Sequence, residues 1–127
     1  MEKSRKILIV DDDPKALLLM EEILNMYGYD LILLGDVRQL IQTAIKEKPD
    51  LIFLDIMMPE MDGYTVLKKI RQEETIKNIP VVMLTALDRE ESKKIASSLG
   101  ASGYITKPVN SKHLIETVAR FLPDSTS

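Results

Sequence analysis

Leu51-Ile52-Phe53-Leu54 is an unbroken apolar run that stops on a carboxylate, Asp55. Four apolar residues without polar alternation suit a strand covered on both faces, the habit of parallel sheets in α/β domains. Asp55 then stands at the carboxyl end of that strand, the edge where open α/β sheets form their crevice. Three other segments end in a comparable way. Ile7-Leu8-Ile9-Val10 closes on Asp11-Asp12-Asp13, Val81-Val82-Met83-Leu84 closes on Thr85, and Gly103-Tyr104-Ile105 leads through Thr106 to Lys107-Pro108. As parallel neighbours these strands bring several carboxylates, a hydroxyl and an ammonium to one edge. That is the inventory for a divalent cation and a phosphoryl group.

Helix signals alternate with the strands. After a polar start (residues 1–5, expected to fray) and a first strand from Lys6 to Val10, Asp13 reads as an N-cap with Pro14 at the first helical position. This helix is expected to run to about Tyr27, burying Leu17, Met20 and Leu24 with Ala16, Leu19 and Ile23, before Gly28 ends it. Leu31 to Leu34 forms the second strand, and Asp36 caps a helix with the stripe Val37, Leu40, Ile41, Ala44 and Ile45. Val66, Leu67 and Ile70 mark a third helix that runs out into a polar connection, Arg71 to Asn78. Pro80 opens the fourth strand, and Asp88-x-x-Glu91 resembles a capping box for a narrow fourth helix carried by Ile95, Leu99 and Ala96. Asn110 caps the last helix, with Leu114, Ile115, Val118, Ala119, Phe121 and Leu122 as its apolar face, and Pro123 stops it. Residues 123–127 read as a flexible tail or the start of a linker.

A chain of 127 residues holds one domain, here 6–122. With five strands separated by helices and right-handed crossovers, the expected fold is α/β, a single doubly wound five-stranded parallel sheet. The glycines at 28, 35, 63, 100 and 103 supply no dinucleotide fingerprint or P-loop after the first strand. The strand order then expected is 2-1-3-4-5, flavodoxin-like, with its switch point between the strands carrying Asp11, Asp12 and Asp55. A formal charge of −3 gives no footprint for nucleic acid, and no stretch approaches the roughly 20 apolar residues of a membrane span. Without cysteine the chain has no thiolate chemistry, and a cytoplasmic location is expected.

The set Ile-Leu-Ile-Val-Asp11-Asp12-Asp-Pro, Leu-Asp55-Ile-Met-Met-Pro59-x-Met-Asp62-Gly63, Leu-Thr85-Ala86 and Gly-Ala-x-Gly-Tyr104-Ile-x-Lys107-Pro108 resembles the receiver domain of two-component response regulators. The likeness spans about residues 5 to 122 in the family's order and spacing. It implies that Asp55 is the phosphoacceptor, taking a phosphoryl group from a phosphohistidine on a sensor histidine kinase or histidine phosphotransfer protein. Mg2+ is the implied cofactor, held by Asp12, Asp55 and the carbonyl of Met57, with Asp11 acting directly or through water. Lys107 and Thr85 would bind phosphoryl oxygens, aided by a cis Lys107-Pro108 bond.

The resemblance also implies a switch in which Thr85 is drawn to the phosphoryl group and Tyr104 swings inward, altering the α4-β5-α5 surface read by a downstream effector or an output domain. Met57 and Leu87 flank the path of attacking water without a group to orient it, so slow self-dephosphorylation is expected. Such a protein catalyses its own phosphotransfer without being a conventional turnover enzyme. Other residues have plainer roles: Asp13 is a cap, His113 a solvated helix residue, and Met57, Met58 and Met61 loop packing.

Two alternatives stand beside this reading. A haloacid-dehalogenase-like phosphatase would use Asp11-x-Asp13 as paired acids, although Lys15 replaces the Thr or Val that follows in that family, and it has little use for Asp55. A non-phosphorylated interaction module would be expected to lack one of the key residues, whereas all are present.

Overall fold

The structure, a computed structural model, describes residues 5–56, 62–86 and 89–123. The strands are β1 (Lys6–Val10), β2 (Asp30–Leu34), β3 (Leu51–Asp55), β4 (Val81–Thr85) and β5 (Gly103–Thr106). All neighbours pair in parallel in the order β2-β1-β3-β4-β5, the expected one. The helices are α1 (Pro14–Asn25), α2 (Leu40–Glu47), α3 (Gly63–Gln72), α4 (Glu90–Ser98) and α5 (Ser111–Phe121). Expectations for Met57, Pro59, Leu87, Asp88, the first four residues and the last four lie outside the described residues.

β3 and β4 are buried at every position because each lies inside the sheet and is covered on both faces. Alternate residues of each strand serve different cores. Leu8, Val10, Ile52, Leu54 and Met83 pack with α2, α3 and Ala96 of α4, while Ile7, Ile9, Phe53, Val82 and Leu84 pack with α1 and α5. This two-sided burial explains the absence of polar alternation in the sequence.

Several helix details differ from expectation. α1 ends at Asn25, and its last turn closes with i→i+3 bonds from Tyr27 N–H to Leu24 O and from Gly28 N–H to Asn25 O. Leu19 is 41% exposed because it lies about 100° around the helix from the buried Met20. Asp36 caps a 3-10 turn, Val37–Gln39, that leads into α2, and accepts from the Arg38 N–H.

α4 is also turned relative to expectation. Ser92 and Ala96 are buried, Leu99 is half-buried, and Ile95 is 41% exposed. The Arg71-to-Asn78 connection hides a core residue, Ile76, and Arg71 is half-buried, donating to the carbonyls of Gly100, Lys77 and Ile79. Burial lowers the pKa of that guanidinium from its ordinary value.

Gly63 shows how tightly α3 seats on the β3 edge. Its N–H donates to Ile56 O at 2.7 Å, and a Cβ there would stand 2.7 Å from both the Asp55 carbonyl oxygen and the Ile56 Cα. Both atoms are backbone, so a side chain at 63 must push α3 away from the strand end that carries Asp55. Gly63→Ala is expected to lower unfolding free energy by about 1–3 kcal/mol in urea. Gly35→Ala, whose Cβ would meet its nearest neighbour at an ordinary 4.0 Å, is expected to stay within about 0.5 kcal/mol of the parent. Equal stability of the two variants would contradict this account of the close approach.

Candidate functional site

The carboxyl ends of β1, β3, β4 and β5 meet on one edge. Pairing sets this up: Val10 lies opposite Leu54, Asp55 opposite Leu84, and Thr85 opposite Thr106. Backbone bonds carry the alignment beyond the strands, with Asp11 N–H donating to Leu34 O at 3.0 Å, Ile56 N–H to Leu84 O at 2.9 Å, and Lys107 N–H to Thr85 O at 2.7 Å.

Asp11, Asp12 and Asp55 each offer a carboxylate oxygen, and these oxygens lie within 4.8 Å of one another. Asp11 is fully buried, Asp55 is 4% exposed, and Asp12 is open to solvent. Asp11 Oδ1 accepts from the Asp13 N–H at 2.9 Å, closing a local turn. Its Oδ2 is buried and meets the Lys107 Nζ at 2.6 Å in an ion pair. The same Nζ donates to Asp55 Oδ2 at 3.2 Å. Burial alone would lower the Lys107 pKa, but the bond to Asp11 and the charges of Asp55 and Asp11 outweigh it and hold the ammonium above its ordinary value. The Lys107-Pro108 bond is cis, as expected.

One ammonium faces three carboxylates, so the cluster holds excess negative charge in a largely buried place. A divalent cation would balance it, and oxygen-only donors suit a hard ion such as Mg2+. Asp13 stands apart, because its side chain accepts from the Lys15 N–H at 3.0 Å and caps α1. The paired acids a dehalogenase-like phosphatase needs are therefore divided between two tasks. The expected third oxygen, the Met57 carbonyl, lies outside the described residues.

Thr85 is fully buried at the end of β4, and Tyr104 is half-buried on β5. The Tyr104 phenol lies close to the Thr85 and Ser92 side chains, and the Lys93 Nζ stands 5.8 Å from its ring centroid. Burial and the nearby Tyr64 raise the Tyr104 pKa, while the Ser92 and Thr85 hydroxyls and Lys93 work against the rise. Tyr64, on α3, donates to the Ser92 carbonyl at 3.5 Å. Ser92 and Tyr64 escaped the sequence reading. The available signal was the spacing of Ser92, Ala96 and Leu99, which form one helical stripe with a hydroxyl at its start. His113 is exposed on α5, its N–H donating to the Asn110 cap.

The chain has relatives among known proteins. The chain is 40% identical to the alkaline phosphatase synthesis transcriptional regulatory protein PhoP of Bacillus subtilis over 94% of its length and 49% of the relative's. It is 39% identical to the DNA-binding dual master transcriptional regulator RpaA of Synechocystis over 92% of this chain and 48% of that one. The chain thus spans about half the length of the curated relatives it matches.

Among solved structures, the chemotaxis protein CheY4 of Vibrio cholerae superposes with a TM-score of 0.88 at 31% identity, covering 94% of this chain and 99% of that one. The receiver domain of the sensor histidine kinase PA1611 from Pseudomonas aeruginosa has a magnesium ion coordinated in its active-site cleft. It superposes with a TM-score of 0.86 at 27% identity, covering 95% of this chain and 99% of that one. The family model described as response regulator receiver domain matches residues 7–119, and with the fold and the strand-end cluster this places the chain in the receiver-domain family of two-component response regulators.

Proposed function

We propose that Asp55 is the phosphoacceptor and that Asp11, Asp12 and Asp55, with the Met57 carbonyl, hold Mg2+ beside it. The observation that carries this reading is the buried meeting of three carboxylates with Lys107 at the strand ends. Asp55 Oδ attacks the phosphorus of a phosphohistidine, the P–N bond breaks, and the imidazole leaves as the acyl phosphate forms. Phosphoryl transfer needs positioning and charge neutralisation more than covalent help. When bound, Mg2+ supplies Lewis-acid neutralisation of the transferred group. Lys107 moves from its carboxylate partners to a phosphoryl oxygen, and Thr85 donates its hydroxyl to another.

The donor is a sensor histidine kinase or a histidine phosphotransfer protein, met in the cytoplasm. Such a partner has to cover the site edge. α1 begins two residues after Asp12 and carries Leu18 (54% exposed) and Leu19, with Met26 (81% exposed) at its C-cap, on one sector. That apolar sector is the face the phosphohistidine-bearing partner covers. The readout is a change at α4, β5 and α5, passed to an effector or output domain. The chain itself, at a formal charge of −3, does not bind nucleic acid. Among the described residues no helix is long and apolar enough to cross a membrane.

Intact-mass spectrometry after exposure to acetyl phosphate tests the acceptor. Gain of one phosphoryl group with Mg2+, loss of that gain on chelation, and none in Asp55→Asn are expected; modification at Asp11 instead would favour the phosphatase reading. Leu18→Glu is expected to slow transfer from a cognate kinase at least tenfold while leaving acetyl phosphate labelling within twofold. Equal slowing of both would contradict α1 as the docking face.

Lys107 and Mg2+ compete for the same oxygens. Lys107→Met is therefore expected to destabilise the metal-free protein at pH 8 by about 1–3 kcal/mol, since like charges lose their counter-ion. The same variant should gain more stability from Mg2+ than the parent does. The folded pKa of Lys107 is raised, so its contribution is full below the unfolded value of about 10.4 and fades as pH rises through the folded one. Urea midpoints of parent and variant, metal-free, should accordingly converge above that range, and a gap that widened with pH would contradict the ion-pair account.

A further inference from the structure

α4 joins two parallel strands and therefore runs against them, from the site edge at the end of β4 to the opposite edge where β5 begins. Its ends are held differently. At the carboxyl end Gly100 has φ +102°, its N–H bonded to Ser97 O at 3.0 Å and the Ala101 N–H to Ala96 O at 2.9 Å, a glycine helix stop. The Gly100 carbonyl accepts from Arg71 Nε at 2.9 Å and Nη2 at 2.7 Å. Arg71 Nη1 donates to Lys77 O at 2.9 Å and Ile79 O at 2.8 Å, and Nη2 reaches Ser102 Oγ at 3.5 Å.

Every N–H of the guanidinium thus has an acceptor, and one side chain ties α3, the connection into β4 and the turn from α4 into β5. Bonds from a charged donor are about twice as strong as neutral ones. The same turn is joined to β4 by the Ser102 N–H on Val81 O at 2.8 Å and the Val81 N–H on Ser102 Oγ at 3.2 Å. A Cβ at position 100 would stand 3.0 to 3.3 Å from the Arg71 side chain, which its own bonds keep from giving way. Glycine and clamp belong together.

The amino-terminal half of α4 is tied by longer contacts. Arg89 at its N-cap makes no side-chain capping bond. The Tyr64 hydroxyl reaches the Ser92 carbonyl at 3.5 Å, the outer limit of a hydrogen bond, and the Lys93 ammonium stands 5.8 Å from the Tyr104 ring centroid.

We propose that Arg71 is a positioning residue that fixes the carboxyl end of α4, so that phosphorylation at the site edge displaces the amino-terminal half of the helix about that end. This inference rests on the proposed phosphoacceptor reading. Arg71 itself stays in place in both states. Lysine cannot replace it, because a single ammonium does not span carbonyls from three segments. An effector that senses the phosphoryl group then has to touch the first turns of α4, since the turn at Gly100 presents the same surface in both states.

Amide hydrogen exchange in Mg2+, with and without beryllofluoride, tests this. In the parent, adding the phosphoryl mimic is expected to change exchange at residues 90–95 while the backbone-bonded amides of Leu99, Gly100, Ala101 and Ser102 stay within about twofold. In Arg71→Lys the change should spread into residues 99–102, and Gly100→Ala, which crowds the clamp from its other side, should spread it likewise. A parent response spread evenly over both segments would overturn the proposal, and so would a response that stays confined in both variants.

Without the mimic, Arg71→Lys should speed exchange at 99–102 by about tenfold while the amides of β1 and β3 change far less. Equal acceleration everywhere would make Arg71 a general stabiliser and overturn its role as the fixed point. Acetyl phosphate labelling of Asp55 should stay within about twofold in both variants, since neither residue touches the site. Failure of the parent itself to gain phosphoryl mass would instead remove the phosphoacceptor reading, and the proposal with it.

Discussion

Crowding of like charge at the end of a buried strand is the constraint that shapes this molecule. Asp11 and Asp55 are almost wholly withdrawn from water, with Asp12 beside them, and the oxygens of all three lie within 4.8 Å. Such a cluster persists only if a cation shares it. In the metal-free fold that cation is the Lys107 ammonium, 2.6 Å from Asp11 and 3.2 Å from Asp55. The fold spends its rigid parts on this meeting: parallel pairing aligns the strand tips, and bonds from Asp11, Ile56 and Lys107 to neighbouring carbonyls extend the alignment one residue past each strand. Gly63 lets α3 close over the same edge at backbone contact distance.

The arrangement is stabilising yet incomplete. One ammonium cannot neutralise three carboxylates, so the site favours a divalent ion and, with that ion, an anionic phosphoryl group. The protein groups that neutralise the resting site are those that assist the transfer. Chemistry at Asp55 and stability of the β1, β3 and β5 ends are for this reason two aspects of one charge balance.

Much of this was legible in the residues. Uninterrupted apolar runs in the Leu51 and Val81 segments could only be strands covered on both sides, and each stopped on a side chain with chemistry to offer. Asp13 and Pro14 announced α1, and Asn110 announced α5, by local capping that does not depend on the rest of the fold. What sequence could not supply was rotation about an axis. Leu19 and Ile95 are apolar and near the right spacing, yet each lies one residue off a buried neighbour and faces outward. Arg71 read as part of a polar connection, but three carbonyls brought together by tertiary structure give it a half-buried place. Ser92 was overlooked for a similar reason, since its burial shows only once α4 is laid against the rest of the fold.

The most direct test is a crystal structure of the protein with Mg2+ and beryllofluoride. The account predicts the beryllium on an Asp55 carboxylate oxygen, the ion bound by Asp12 and Asp55, and the Lys107 ammonium moved from Asp11 to a fluoride. An ion seated elsewhere, or beryllofluoride bound to any residue other than Asp55, would contradict it.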